Sequence, residues 1–462
     1  MVKDMTYGNS AKQILFFALP LMVGNIFQQF YNMADSMIVG KTLGTDALGA
    51  VCSTGSLNFL IIGFVTGLAS GFCIPVAQFF GAKDYRNLRR SVTNMIYLAV
   101  GITAVLTLLT ALFTDDVLRL LGTPYDIYED AYDYIIVIFL GMAATMFYNI
   151  LAGLLRALGD SRSPLIFLII ASVINIGLDF FLILVCDMGV MGAGIATVIA
   201  QAISGILCLI YIIKKSTLLH LQKSDWIPSR QMIKKLLYLG LPMALQFSIT
   251  AVGGLILQQS VNSLGKAAVS AVGAGNKTSM MLTQPMEAMG VALATFCGQN
   301  LGAGKIDRAR RGVHQGLLMI MVYVAVCTLA SLCFGQYLAL LFVTADELVV
   351  IGDIHRLLTI VGTFYWSLGI LFVYRNAVQG LGYGVPAMAA GLFELIARAL
   401  IGIFAVPVFG FEAACIAGPI AWIAADILLI PVFYIVIHKL RKLYPSSEEA
   451  DSGSLTSAVR PV

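Results

Sequence analysis

Two carboxylates stand inside apolar runs: Asp35 within FYNMADSMIVG (Phe30–Gly40) and Asp179 within NIGLDFF (Asn175–Phe181). A charge at the centre of a bilayer costs about 3 kcal/mol or more, so each is a functional candidate if these runs cross a membrane. Asp35 lies six residues before Lys41, about 9 Å below the outer end of its span at 1.5 Å per residue. Asp179, eight residues before Asp187, lies about 12 Å down. Asn175 is one helical turn earlier on the same face. Thr197, eight residues past Gly189, is again about 12 Å deep. Two carboxylates, an amide and a hydroxyl thus share one depth. Two such carboxylates cannot both stay ionised in low dielectric without a cation. Either one holds a proton, or oxygen ligands bind a hard ion such as Na+. The bland alternative is a pair of protonated, inert groups that only tie helices together.

Other intramembrane charges are few. Glu287 follows Pro285 and either lines a cavity or packs. Glu394 and Arg398 are one turn apart and are expected to pair as a structural link. Asp426 is open between function and packing, and Arg375 is expected to snorkel to the nearer membrane surface. A substrate cavity would draw on Gln28, Tyr31, Asn32, Tyr148, Gln246, Gln258 and Glu287, with aromatic and Met side chains offering apolar contact and cation–π attraction.

The elements that position these residues follow from composition. Of 462 residues, 59% are hydrophobic and 12% charged, with a mean hydropathy of +0.88. Soluble domains carry about 25% charge, so lipid must cover this chain. A span needs about 20 apolar residues. Twelve candidates fall at 13–39, 47–79, 91–113, 128–151, 163–185, 191–213, 233–262, 269–297, 311–333, 350–378, 386–407 and 411–438. Pro20, Pro75, Pro242 and Pro285 lie inside spans as expected bend points. The polar start, Met1–Lys12, does not read as a cleavable signal. The loops GAKDYRNLRR (Gly81–Arg90) and GAGKIDRARR (Gly302–Arg311) each carry four basic residues and Lys214–Lys235 carries six, whereas Asp115–Asp133 holds six acids against one Arg. By the positive-inside rule both termini face the cytoplasm. The net charge of +4 gives no reason to expect nucleic acid. The eight cysteines form no C-x-x-C and read as small apolar residues. No H-E-x-x-H, G-x-S-x-G or Walker loop is present, so neither an enzyme nor a self-contained ATP pump is expected.

The halves repeat. Ala18-Leu19-Pro20-Leu21 answers Gly240-Leu241-Pro242-Met243, a shift of 222, and Gln78–Val92 aligns with Gln299–Val313 at 221. Leu158-Gly159 answers Leu381-Gly382, and Gly189–Ala196 answers Gly410–Ala417. Six helices per repeat give two lobes of the same orientation, a transporter pattern. The divisions expected are a cytoplasmic start at 1–12, lobes at 13–213 and 233–438, a linker at 214–232 and a tail at 439–462 that ends in disorder.

With the Leu-Pro pairs, the two basic loops and Arg156-Ala-Leu-Gly-Asp160, the chain resembles the multidrug and toxic compound extrusion (MATE) family from about Lys12 to Lys442. The resemblance implies an all-α membrane protein of twelve helices in two parallel six-helix lobes forming a V-shaped cavity. It implies a bacterial cytoplasmic-membrane antiporter, working as a monomer in lipid. Its activity would be export of amphipathic or cationic compounds driven by H+ or Na+, with no other cofactor. It also implies that Asp35, Asn175, Asp179 and Thr197 form the coupling site, as in the family's first-lobe-coupled members. The acid that other members carry in the seventh span is replaced here by Thr250. A lipid-linked precursor flippase and an ion channel are the competing readings; a flippase would call for a strongly cationic cavity.

Overall fold

A computed structural model describes residues 3–120, 122–340, 343 and 347–445; the tail read as disordered lies beyond them from residue 446. The first six helices are α1 (Ser10–Thr42), α2 (Thr45–Gly81), α3 (Tyr85–Leu120), α4 (Tyr125–Leu140 with Met142–Ala157), α5 (Arg162–Val185) and α6 (Gly189–Lys215). The second six are α7 (Arg230–Asn262), α8 (Lys266–Gly302), α9 (Ile306–Ala339), α10 (Leu348–Thr363 with Tyr365–Gly380), α11 (Gly384–Phe409) and α12 (Phe411–Leu443).

With each bent pair counted as one, eleven of these are long and apolar enough to cross a membrane. The twelfth, α8, is as long but carries Lys266, Lys277, Gln284 and Glu287. It needs less lipid-facing surface because it packs among α1, α2, α9 and α10. The helices containing Pro20, Pro75, Pro242 and Pro285 run unbroken through them. Breaks between helical segments fall elsewhere, bent by 47° at Gly141 in α4 and by 51° at Phe364 in α10.

The repeat is visible in backbone geometry. A π turn, Phe181–Val185, closes α5, and another, Ile401–Ala405, occupies the matching place in α11. After α2 and α8 the chain turns through a left-handed residue, Lys83 (φ 57°) in one lobe and Gly304 (φ 70°) in the other. Glycine takes that conformation freely, and lysine only at a steric cost.

At the face carrying the basic loops the lobes close on each other. A Cβ on Gly81 would fall 1.9 Å from the Gln299 carbonyl oxygen, and one on Gly302 would fall 1.8 Å from that of Gln78. Only glycine permits this approach. Gln78 Nε2 donates across the seam to Gly380 O at 3.3 Å, and Gln299 Nε2 donates back to Ala157 O at 2.9 Å. The N-terminal segment lies over the same seam. Lys3 N donates to Leu158 O of the first lobe at 3.0 Å, and Met5 N to Gln299 Oε1 of the second at 2.9 Å. The segment between the lobes is docked too: Arg89 Nε donates to Asp225 Oδ2 at 2.9 Å and Thr93 Oγ1 to Asp225 O at 2.6 Å. Burial pushes the Asp225 carboxyl up, but the Gln222 N–H and the Arg89 guanidinium outweigh it and hold it below the usual carboxylate range.

Candidate functional site

Three helices of the first lobe build a polar site from their apolar faces. Asp35 comes from α1, Asn175 and Asp179 from α5, and Thr197 from α6; Asn175 and Asp179 are fully buried and Asp35 nearly so. The carboxyl groups of Asp35 and Asp179 are close enough to feel each other's charge. Tyr31, one turn before Asp35, meets Thr197 hydroxyl to hydroxyl at 3.3 Å. Asp35 and Asp179 are thus neighbours, Tyr31 joins Thr197, and Asn175 stands one turn before Asp179 on α5.

The local polar balance is unusual. Asp35 Oδ1, both carboxyl oxygens of Asp179 and both polar atoms of the Asn175 side chain are buried without a partner among the described residues. A buried unpartnered polar group costs about 1–3 kcal/mol, and more when charged. With both carboxyls ionised neither can donate, so a shared proton or a cation is what would satisfy them. Carboxylate, amide and hydroxyl oxygens are a donor set that suits a hard cation. Tyr134 of α4, a residue the depth count passed over, is buried beside the pair and close enough to feel both charges. It sits inside α4 directly after Asp133, and a tyrosine in an apolar helix carries no charge signal by which a sequence could mark it.

The family model MatE matches residues 20–181 and matches again over 242–404, one match per lobe. The chain belongs to the MatE family, the MATE transporters. This MATE chain is 30% identical over 393 residues to the probable multidrug resistance protein YpnP of Bacillus subtilis, covering 85% of this chain and 87% of that one. It is 23% identical over 378 residues to the multidrug export protein MepA of Staphylococcus haemolyticus, covering 82% and 83%. Among solved structures, an outward-facing multidrug resistance MATE family transporter superposes with a TM-score of 0.89 at 22% identity, covering 95% of this chain and 98% of that one. That likeness establishes the fold.

The second lobe of this MATE chain is built differently. Arg375 does not snorkel; it is buried in α10 and bonds Glu394 of α11. Its helix faces a neighbour inside the lobe, so its charge finds a carboxylate before it finds water. Glu394 also meets Arg398, at 3.4 Å. Asp426 is buried and accepts a 2.6 Å hydrogen bond from Ser367 Oγ. The expected cavity residues disperse. Gln246 is buried and accepts from Gln379 Nε2 at 2.7 Å, linking α7 to α10. Tyr148 is packed inside the first lobe. Gln258 lines a pocket within the second lobe, Glu287 has Arg375 as a charged neighbour, and Gln28 and Asn32 stay on the partly open side of α1.

Proposed function

We propose that this MATE transporter is a secondary antiporter of the bacterial cytoplasmic membrane. It exports amphipathic, often cationic, small molecules in exchange for H+ or Na+. The observation that carries the reading is the Asp35–Asp179 pair: two buried carboxyl groups close enough to feel each other's charge, ringed by unpartnered polar atoms. Its relatives' names, a multidrug resistance protein and a multidrug export protein, support efflux of drugs.

The residues suggest how loading would be felt. α1 carries Asp35 and packs on α5 within its own lobe and on α8 of the other. A proton or Na+ held between α1, α5 and α6 removes the repulsion between their carboxyl groups and favours one packing of α1. Losing the ion favours another, so ion occupancy biases the lobe arrangement. With the basic face taken as cytoplasmic, the arrangement described is closed to the cytoplasm and both termini lie inside. A single chain supplies the whole site.

The test is dye efflux in proteoliposomes under an imposed pH gradient or an imposed Na+ gradient, one at a time. Asp35→Asn is expected to insert normally and lose gradient-driven efflux, and the gradient that works in the wild type names the ion. Wild-type rates in Asp35→Asn would sink the proposal.

A further inference from the structure

The lobes are related by a sequence shift of about 222 residues, so the polar site of the first lobe has a counterpart in the second. Asp35 maps to Leu257, Tyr31 to Gly253 and Thr197 to Gly418. Leu257 and Gly418 both line a cavity of about 210 Å³ between α7, α8, α10, α11 and α12. Among the described residues no acid lines that cavity, and the one charged side chain that does is Arg398. At that shift Asp179 maps to Ile401, and Arg398 stands three residues before it, about one turn earlier on the same helix. The lobes thus place opposite charges in related pockets.

The charge balance leaves Arg398 available. Glu394 is the shared partner of two guanidinium groups, and its closer contact is with Arg375. The Arg398 side chain keeps 14% of its surface exposed, while that of Glu394 keeps 3%. The other acids nearby, Asp426 (bonded to Ser367) and Glu287, both have Arg375 as their charged neighbour, and neither lines the cavity. The rest of the wall suits a flat ring. The Trp422 indole lies over Gly418, where a Cβ would sit 3.5 Å from it, and the amides of Gln258 and Asn276 supply further polar contacts.

We infer that this second-lobe pocket is a receptor for an aromatic carboxylate, with Arg398 gripping the carboxylate and Trp422 stacking on the ring. Guanidinium is suited to that task because its planar fork matches a carboxylate bidentately. The inference deepens the export reading, and it rests on that reading only in calling the occupant a substrate. The substrates so marked carry an acidic aromatic end and are not simple cations.

The experiment is equilibrium binding to the full-length protein in detergent, using naphthoate and the uncharged, isosteric naphthamide as probes. The wild type is expected to bind naphthoate about tenfold or more tighter than naphthamide, the discrimination of one charge-assisted hydrogen-bond pair. Arg398→Gln should erase that preference while Glu394 keeps its contact with Arg375, and Arg398→Lys should retain part of it. Should Arg398→Gln fail to fold, Leu257→Asp carries the test: restoring an acid at the Asp35 counterpart should reject naphthoate and leave naphthamide unchanged. Equal affinity for the two probes, no binding of either, or a preference that survives Arg398→Gln would overturn the inference. Binding needs no ion gradient, so a chain that binds naphthoate through Arg398 yet exports nothing would refute export and leave the pocket standing.

Discussion

One buried carboxylate, Glu394, is shared by two guanidinium groups, Arg375 and Arg398. Removing one partner of a buried ion pair strands the others in low dielectric, and here two cations of like sign would face each other. Glu394→Gln is therefore expected to destabilise the protein by about 3–5 kcal/mol, read as a lowered thermal unfolding midpoint in detergent. An unchanged midpoint would mean that water reaches the pair. Thr250 makes the contrast: its hydroxyl donates to Gln246 O of its own helix at 3.0 Å. Thr250→Ala should leave both midpoint and transport rate near wild type, and a large loss of transport would reveal a role for α7 in coupling. Most of the first-lobe site was legible in the sequence, since a carboxylate in an apolar run is visible and its depth can be counted. The partners of Arg375 were not, because helix spacing relates Glu394 to Arg398 on one helix and says nothing of which face α10 turns toward α11.

The bends in α4 and α10 come at helix breaks that no proline marks. Pro20 and Pro242 sit in helices that continue past them, so their missing hydrogen bonds are absorbed without a break. Contact from outside does the breaking instead. In α10, Thr328 Oγ1 of α9 donates to Gly362 O at 2.7 Å, a second bond on a carbonyl two residues before the 51° bend at Phe364. Insertion of a neighbour's side chain into the ladder is a recognised cause of kinks. In α4 the bend falls at Gly141, where a Cβ would meet Val198 Cγ2 of α6 at 2.1 Å. Gly141→Ala should therefore cost about 1–3 kcal/mol through overpacking, and Val198→Ala should recover most of it in the double variant. A double-mutant cycle on the unfolding midpoint checks this; additive effects would place the strain elsewhere. A single sequence marks the glycine but not the valine that needs it.

At the scale of the whole molecule the repeat was readable, whereas the seam between its halves was not. Met5 meets Gln299, and Gln78 meets Gly380, across nearly 300 positions or more of chain, a separation that carries no periodic signal. Yet those contacts decide which face is closed. The two glutamines form a reciprocal pair, each bonding the end of a helix in the opposite lobe, and Arg308 pins the N-terminal segment by donating to Tyr7 O at 3.0 Å and Gly8 O at 2.7 Å. A transporter that alternates must open this face, so the bonds across it favour one state over the other. Each is worth about 0.5–1.5 kcal/mol, and losing two would move the equilibrium by about fivefold or more. We expect Gln78→Ala with Gln299→Ala to populate a state open at the basic face. Spin labels at Arg86→Cys and Arg311→Cys, one on each lobe in a cysteine-free background, would report it as a new longer component in the pulsed electron resonance distance distribution. A distribution identical to that of the parent would assign the closure to the glycine packing of Gly81 and Gly302 alone.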